Sequence, residues 1–132
     1  MKQFGLPARE KLKNKKDFEL IFSSGRTIFS SDKSVRAAFI IETGGIFQGI
    51  KIAFAVSRRL GIAVWRNRIK RLLRESYRLN KEELYTICEE KKILIKIVLS
   101  PNLINQKNAG RIGLNNIMPG VIDVLSKIKR TI

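Results

Sequence analysis

Hydrophobic residues recur along the chain at two different periods, and each period predicts a different kind of element. Positions at which apolar residues alternate with polar or small ones are typical of strands. Strands are predicted in this way over residues 35–41, 50–57 and 93–99. On the second strand, the small residues Ala53 and Ala55 lie opposite the apolar face, so we expect that side of the sheet to be only lightly covered.

Apolar residues spaced three and four positions apart predict four helices. Asn14 or a neighbouring residue can cap the first helix, which is expected to run to about Ser24 and to be closed by Gly25. Within it, Phe18, Ile21 and Phe22 share one face because of their spacing. The other three helices are predicted over residues 66–79, 81–90 and 115–130.

Two prolines bear on the ends of the chain. Pro7 argues against an early helix, so residues 1–13 are expected to form a basic, flexible arm. Pro119 fits only the first turn of a helix, so the last helix is expected to begin near residue 118. The order helix, strands, helix, strand, helix describes the α+β class, as a two-layer α/β sandwich with one sheet of about four strands. At this length, residues 1–132 are expected to form a single domain.

The net charge of the chain indicates which class of partner it binds. The chain has 27 lysines and arginines against 11 aspartates and glutamates, a formal charge of +16. Such a surplus attracts polyanions, so nucleic acid is the expected partner and an anionic membrane surface is the alternative. No apolar run approaches the roughly 20 residues that span a bilayer, and the start of the chain, MKQFGLPAREKLKNKKDF, has no block typical of a signal peptide. We therefore expect a cytoplasmic protein that does not associate with membranes.

The residue types also restrict the chemistry. The chain has no histidine, which removes the commonest general base and the commonest metal ligand. Its single cysteine, Cys88, excludes an intramolecular disulfide and a zinc site built from several cysteines. A stand-alone metal-dependent nuclease needs clustered carboxylates, whereas the 11 acidic residues here are scattered. The side chains are thus poorly suited to carry catalysis by themselves.

The segment AVWRNRIKRLLRE, residues 63–75, concentrates basic residues at the beginning of a predicted helix. The helix macrodipole already makes this end positive, so the charges repel the helix terminus as well as one another. A bound phosphate would relieve both repulsions, and the arginine fork suits it. The alternative is an ordinary solvated face, in which Arg68 or Arg71 pairs with Glu75. The residues expected to face the sheet are Ile69, Leu72, Leu73, Ser76 and Leu79.

Three polar or aromatic positions allow more than one role. Asn67 lies between two arginines, and it can cap the helix locally or offer its amide to a base edge, a ribose or a metal-bound water. Phe18 and Phe22 can belong to the core, or they can stack against the bases of single-stranded RNA beside a basic groove.

Two segments resemble the protein subunit of bacterial ribonuclease P. The segment FAVSRRLGIAVWRNRIKRLLRESYR, residues 54–78, is similar to the signature of that family, and its RNR core, Arg66-Asn67-Arg68, is the most specific part. The segment LKNKKDFELIFSSGR, residues 12–26, resembles the N-terminal segment of the family. A generic basic helix would not also supply this upstream segment in register.

The resemblance implies a fold, a function and partners. The family fold is an α/β sandwich in which a left-handed crossover contains the RNR helix. Its members bind the catalytic RNA of ribonuclease P and precursor tRNA, and the RNA removes the 5′ leader with Mg²⁺ that is bound mainly by the RNA. The protein alone is then expected to be non-catalytic, with no metal site assigned to it and no obligate protein partner. A structural or ribosome-associated RNA-binding protein is the alternative.

The resemblance also implies site residues, position by position. RNA contacts of the family correspond here to Arg58, Arg59, Arg66, Asn67, Arg68, Lys70, Arg71 and Arg74, and the leader cleft corresponds to Phe18 and Phe22. Ile62 departs from the family pattern, because a polar or basic residue usually follows the glycine that is Gly61 here. Arg36 and Ala38 stand where the family often has an aromatic residue. Part of the leader-stacking surface is therefore expected to be missing or remodelled, and no site residue is assigned in the C-terminal third.

Overall fold

The computed structural model of the protein describes residues 6–132. Its helices are α1 Lys15–Ser24, α2 Ala63–Asn80, α3 Glu82–Lys91 and α4 Leu114–Arg130. Its strands are β1 Arg26–Phe29, β2 Val35–Thr43, β3 Gly49–Phe54 and β4 Ile93–Pro101. Two short 3₁₀ turns, Ala8–Glu10 and Arg58–Leu60, precede α1 and α2.

The four strands form one sheet in the order β1-β2-β4-β3. β2 runs antiparallel to both β1 and β4, whereas β3 and β4 are parallel. A parallel pair cannot be joined by a hairpin, so the chain crosses back along the sheet through α2 and α3 before it enters β4. The α+β sandwich expected from the sequence is confirmed, and the arginine-rich segment forms the longer helix of the crossover.

One face of the sheet carries the main core, in which the strands pack against α2, α3 and α4. The largest buried side chains of the strands on this face are Phe39, Ile50, Ile52, Ile95, Ile97 and Leu99. The helices contribute Trp65, Ile69, Leu73 and Tyr77 from α2, and Ile117, Val121, Val124 and Ile128 from α4. Burial of one large apolar side chain contributes about 1.5–3 kcal/mol, so this face provides the larger share of the stability.

The opposite face is covered more thinly, by α1 and the residues that precede it. Ile21 of α1 and Leu12 pack there against Ala38 of β2 and Val98 of β4. The small side chains expected on this face of β3, Ala53 and Ala55, contact the same cluster and are half-buried. The prediction of a lightly covered face is confirmed.

An ion-pair network fixes α1 on this second face. Lys96 Nζ donates to Asp17 Oδ1 of α1 at 2.8 Å and to Glu42 Oε2 of β2 at 2.9 Å. Burial opposes the charged ammonium, but the hydrogen bonds to the two carboxylates outweigh it and raise the pKa of Lys96. The lysine therefore ties helix and sheet together in its charged form.

The ends of α1 follow signals that are local in sequence. Asn14 Oδ1 accepts a hydrogen bond from Lys16 N at 2.9 Å and so caps the helix. Gly25 ends the helix, because a Cβ at this position would lie 2.4 Å from the carbonyl oxygen of Ile21. Both predicted ends of the helix are confirmed.

The strands differ from the predicted ones in four respects, one of which is that β4 continues to Pro101, two residues beyond its predicted end. β1 is not predicted, because four residues are too few for an alternating pattern to stand out. β2 continues to Thr43, two residues beyond its predicted end. β3 ends at Phe54 rather than at residue 57, since Ser57 already caps the following 3₁₀ turn through a hydrogen bond from Arg59 N at 3.4 Å.

The residues before α1 are packed against the sheet, which corrects the expectation of a flexible arm for the part that the structure describes. Lys11 forms a parallel bridge with Ile52 of β3. Leu12 N donates to Ile52 O at 3.0 Å, and the Leu12 side chain is 5% exposed. The edge of β3 that faces away from β4 offers these backbone partners. Residues 1–5 of the predicted arm lie outside the described residues.

A buried ion pair anchors the same segment to the crossover. Glu10 is only 3% exposed, and its Oε1 accepts a hydrogen bond from Lys81 Nζ at 2.6 Å. The Lys81 ammonium also lies over the rings of Tyr77 and Tyr85, at 6.0 and 5.6 Å from their centroids. These contacts connect the start of the chain to the junction of α2 and α3.

α4 begins at Leu114, four residues before the expected position. Gly113 N donates to Asn116 Oδ1 at 2.9 Å, which fixes the first turn. Pro119 then lies inside the helix, where its missing N–H leaves the carbonyl of Asn115 without a helical partner. Asn115 is exposed, so water can reach that carbonyl.

The buried face of α2 also differs in part from the predicted one. Leu79, expected to face the sheet, is 52% exposed, and Leu72 is half-buried. Trp65 and Tyr77 are buried in addition to the remaining predicted residues. The Tyr77 ring packs edge-to-face on Phe54, with 6.2 Å between the ring centroids. Contact with the sheet and with α4 therefore selects a slightly different helix rotation from the one that hydrophobicity alone predicts.

Cys88 lies on the inner face of α3, within the main core. Its side chain is completely buried. Burial raises the pKa of the Cys88 thiol to about 11, because the apolar surroundings disfavour the thiolate. The residue therefore serves packing.

We expect Lys81→Met to lower the free energy of unfolding by about 3 kcal/mol, because it leaves the buried Glu10 carboxylate without its cation. Urea unfolding followed by circular dichroism measures this difference. Lys129→Met is the matched control, since its partner Glu83 is 69% exposed and the pair should contribute less than about 1 kcal/mol. Equal losses in the two variants would contradict the anchoring role of Glu10.

Candidate nucleic-acid interface

The exposed side of α2 carries a stripe of basic and amide side chains. At 100° per residue, Asn67, Arg71 and Arg74 fall within one arc opposite the buried face, and all three are exposed. Arg66 and Lys70 lie on one flank of this arc and are half-buried. We refer to Asn67, Arg71 and Arg74 as the α2 stripe. Of the eight residues predicted to contact RNA, three therefore share this exposed face of α2.

Two arginines of the RNR segment are oriented by backbone carbonyls. Arg66 Nε donates to Gly61 O at 3.0 Å. Arg68 Nε and Nη2 donate to Ile112 O at 3.0 and 2.7 Å. A guanidinium has five N–H donors, so each arginine keeps donors for a ligand. Because the side chains are already held in place, less conformational entropy is lost when a ligand binds.

The single carboxylate of α2 pairs with a different arginine from the expected ones. Arg78 Nε donates to Glu75 Oε2 at 3.2 Å, and a second hydrogen bond joins Nη2 to Oε1. The bond from Arg78 lowers the pKa of Glu75. The pairing of Glu75 with Arg68 or Arg71, which belongs to the alternative of a solvated face, is not formed, because Arg68 donates to a carbonyl and Arg71 lies on the exposed stripe.

The loop that follows β4 supports the start of α2. Gln106 Oε1 accepts a hydrogen bond from Ile62 N at 2.9 Å, and Gln106 N donates to Leu60 O at 2.7 Å. Trp65 Nε1 donates to Ala109 O at 3.0 Å. Sequence reasoning missed Gln106 because 44 residues separate it from Ile62 and no motif marks it. The C-terminal third therefore contributes to the interface indirectly, by holding the helix.

The start of α2 is also strongly basic. No side chain caps this helix and its first turn holds no acidic residue, so the positive end of the dipole is not compensated within the helix. Arg58 and Arg59 are exposed on the 3₁₀ turn just before it. Gly61 permits the close approach of turn and helix, since a Cβ there would lie 2.7 Å from the Trp65 ring. An anion at this end would relieve repulsion from both sources.

The aromatic pair of α1 lies on the other face of the sheet. Ile21 points towards the sheet, and Asp17 reaches Lys96 on one flank of the helix. At 100° per residue, Phe18 and Phe22 then lie on the opposite flank. Phe18 is half-buried against the second cluster, whereas Phe22 is 63% exposed. The two phenylalanines therefore share one side of α1, but only the first belongs to the packed layer.

The register of β4 indicates which part of the sheet this flank faces. Val98 packs in the same cluster as Ile21, and Lys96 and Ser100 lie on either side of Val98 on the same face. Since Asp17 reaches Lys96, the flank with the two phenylalanines faces the side of Ser100.

A row of three side chains crosses the sheet at the position of Ser100. Phe29 of β1 is paired with Arg36 of β2, and Arg36 is paired with Ser100 of β4, so all three project from the face that α1 covers. Arg36 is exposed and Phe29 is 42% exposed. We refer to the space between this row and the side of α1 that carries Phe18 and Phe22 as the α1 groove.

The register shows what surrounds Arg36 and Ala38, the two positions of β2 at which the family often has an aromatic residue. Ala38 is only 7% exposed, because α1 covers it. Phe29 supplies an aromatic ring on the same face, from the neighbouring strand. Sequence reasoning missed Phe29 because it did not predict β1.

The α2 stripe and the α1 groove lie on opposite faces of the sheet, so the structure does not merge the two predicted groups into one pocket. Within residues 6–132, no three His, Cys, Asp or Glu side chains converge in a way that could hold a metal ion. In the same range, no helix is long and apolar enough to cross a membrane.

The turn between β1 and β2 is held by a cluster of hydrogen bonds. Ser30 Oγ and Ser34 Oγ donate to Asp32 Oδ1 at 2.6 and 2.7 Å, and these bonds lower the pKa of Asp32. Ser31 N donates to Asp123 Oδ2 of α4 at 2.6 Å, which lowers the pKa of Asp123. The charged carboxylate of Asp32 therefore holds the turn internally, and that of Asp123 ties the turn to α4.

The family model and the named relatives that match this chain all indicate one protein family. The sequence model of the family described as Ribonuclease P matches residues 6–111. A protein of Geotalea uraniireducens named Ribonuclease P protein component is 28% identical over 130 residues, which cover 98% of this chain and 100% of that protein. A protein of the same name from Alkaliphilus metalliredigens is 32% identical over 81 residues, which cover 61% of this chain and 68% of that protein.

A solved structure has the same fold. The RNase P protein from Thermotoga maritima is similar with a TM-score of 0.70 and 24% sequence identity. The similarity covers 90% of this chain and 97% of that one. The sheet and the helices that position the stripe and the groove therefore occur together in a known architecture.

We expect Asp32→Asn to make the protein less stable at neutral pH but less sensitive to acid. Because the folded-state pKa of Asp32 is lowered, its carboxylate stabilises the fold above the unfolded-state pKa of about 3.9, and this contribution is lost as the pH falls through the folded-state pKa. Urea unfolding at a series of pH values should show the difference from wild type shrinking in acid. Glu90→Gln changes the net charge equally at an exposed site, and the same pH profile there would contradict the prediction.

Proposed function

This chain belongs to the ribonuclease P protein family, and on that premise we propose that it binds the catalytic RNA of ribonuclease P and the 5′ leader of precursor tRNA. In this proposal the RNA cleaves the leader to give the mature tRNA 5′ end, and the protein contributes binding. The α2 stripe is the observation that carries the proposal, since it presents Arg71, Arg74 and Asn67 together on an exposed helix face.

The α2 stripe supports a phosphate-rich partner of defined shape. Arginine binds phosphate through two parallel N–H donors, whereas a merely solubilising face has no need of that geometry. The hydrogen bonds of Arg66 and Arg68 to backbone carbonyls add two oriented guanidinium groups beside the stripe. Arg58, Arg59 and Lys70 extend the same basic surface. Folded RNA offers phosphates at fixed positions, so we assign this surface to the catalytic RNA.

The α1 groove supports a single-stranded partner. Phe18 and Phe22 line one side of it, and an exposed aromatic ring beside basic side chains is a common way to hold unpaired bases. The small Ala53 and Ala55 leave room at the sheet surface. We therefore assign the groove to the leader, which lies outside the folded part of tRNA.

The proposal assigns the chemistry to the RNA partner. Mg²⁺ would be bound mainly by RNA phosphates, and the protein would raise the affinity of the complex for substrate and metal by adding positive charge. We further propose that the complex acts in the cytoplasm, since its substrate class is precursor tRNA.

A cleavage assay at low Mg²⁺ tests the proposal. The assay compares a bacterial ribonuclease P RNA alone, this protein alone, and the two together on a 5′-labelled precursor tRNA. We expect strong cleavage at the mature 5′ end only in the mixture. Cleavage by the protein alone would contradict the assignment of catalysis to RNA. Binding of the RNA without any stimulation would instead favour a structural RNA-binding protein.

We expect the double variant Arg71→Ala, Arg74→Ala to bind the catalytic RNA at least about tenfold more weakly, since a hydrogen bond to a charged group contributes about 1.5–3 kcal/mol. The slope of log affinity against log salt concentration should fall by about 1 for each phosphate that the variant no longer binds. Filter binding over a range of salt concentrations measures both quantities.

A charge-matched control is available on two other helices. Lys91→Ala, Arg130→Ala removes two exposed cations from the ends of α3 and α4. Its affinity should stay close to that of the wild type. Equal weakening by both double variants would mean that net charge, rather than the α2 stripe, determines binding.

A further inference from the structure

We propose that Phe29 is an additional base-stacking residue of the α1 groove, and that Arg36 beside it binds the adjoining phosphate of the same RNA strand. The ligand class is therefore a nucleotide of single-stranded RNA, held by a ring and a guanidinium on neighbouring strands. This inference rests on the proposed function, because it extends the path of the leader from α1 to the edge of the sheet.

The position of Phe29 follows from the strand register. Phe29 is paired directly with Arg36, so both side chains project from the same face. Ile28 projects to the other face and packs against the main core, which fixes the orientation of β1. Phe29 is 42% exposed. Its ring therefore lies on the face that α1 covers, outside the main core.

The connection between α1 and β1 places the end of α1 next to the strand that carries Phe29. Gly25 connects α1 directly to β1, so Phe22, in the last turns of α1, lies towards the same edge of the sheet as Phe29. Phe22 is 63% exposed. The row of Phe29 lies two residues along the strand from the row of Ala38, a distance of about 7 Å. That spacing is comparable to the reach of one extended nucleotide.

Arg36 is placed to bind the backbone of such a strand. Its Nε and Nη2 both lie 3.4 Å from Ser100 Oγ, so the side chain extends along the row towards β4. These long contacts occupy only part of its donor set. Arg36 is an exposed residue, and it adds a phosphate-binding fork to the strand next to the one that carries Phe29.

The backbone of Phe29 is held by a side chain of α4 in addition to the pairing of β1 with β2. Lys127 Nζ of α4 donates to Phe29 O at 2.8 Å. Lys127 also pairs with Asp123 at 3.4 Å, and Asp123 in turn accepts a hydrogen bond from Ser31 N. The ring is therefore presented from a fixed backbone, which lowers the entropic cost of stacking.

A single exposed phenylalanine is common on protein surfaces and by itself indicates nothing. Phe29 differs because three properties coincide: the face of the groove, a directly paired arginine, and an anchored backbone. Ile46 provides the contrast, since it is fully exposed on the loop between β2 and β3. It belongs to neither the row nor the flank of α1.

The test measures binding of precursor tRNA to the reconstituted complex of protein and catalytic RNA. Leaders are lengthened one nucleotide at a time, and mature tRNA is the reference. We expect Phe29→Ala to weaken binding by about tenfold, the loss of one base–aromatic stack, and only for leaders long enough to pass α1. Phe29→Trp should retain wild-type affinity, whereas Phe29→Leu should behave like Phe29→Ala because it keeps apolar area without a π face.

Two controls separate this inference from its premise. Ile46→Ala removes an apolar side chain that is even more exposed than Phe29 and should leave every affinity unchanged. Thermal melts establish that each variant is folded. If Phe22→Ala loses the benefit of the leader while Phe29→Ala keeps it at every length, the inference is wrong and the proposed leader groove stands. If the wild-type complex gains nothing from any leader, both the groove assignment and the role of Phe29 are wrong.

Discussion

The parallel pairing of β3 with β4 determines where the arginine-rich helix α2 lies. Parallel neighbours cannot be joined by a hairpin, so the chain must travel the length of the sheet between them. α2 and α3 form this connection. The buried side of α2 packs against β4 and α4 in the main core. The arginine-rich segment is therefore part of a connection that the fold requires. Its exposed stripe is held in position by the burial of the opposite side of the same helix.

One face of the sheet provides most of the stability, and the other face stays partly accessible. Bulky side chains such as Phe39 and Ile97 fill one face, which is covered by three helices. The other face has small residues such as Ala38 and Ala53 and only one helix across it. Because one face supplies most of the apolar burial, the other can stay partly open. The ion pairs of Lys96 then keep α1 in place where few apolar contacts do so.

Local signals are sufficient to predict part of this structure. The cap of α1, the alternation of β2 and β4, and the basic helix face all depend on residues close together in sequence, and the sequence predicts them. The packing of residues 8–12 is not predicted, because it depends on the edge of β3 and on Lys81. Gln106 and Phe29 are missed for the same reason, since their positions are set by distant partners. The roles assigned to the α2 stripe and to the two phenylalanines of α1 stay predictions.

Cys88 has a practical consequence for work on this protein. With a pKa of about 11, only about one thiol in ten thousand is ionised at neutral pH, and the side chain is enclosed by the core. Maleimide reagents react with exposed thiolates, so the native cysteine is protected without being replaced. A cysteine introduced at an exposed position such as Lys91 would then be the one reactive thiol of the chain. Fluorophores attached there can report assembly with RNA in a protein whose core is unaltered.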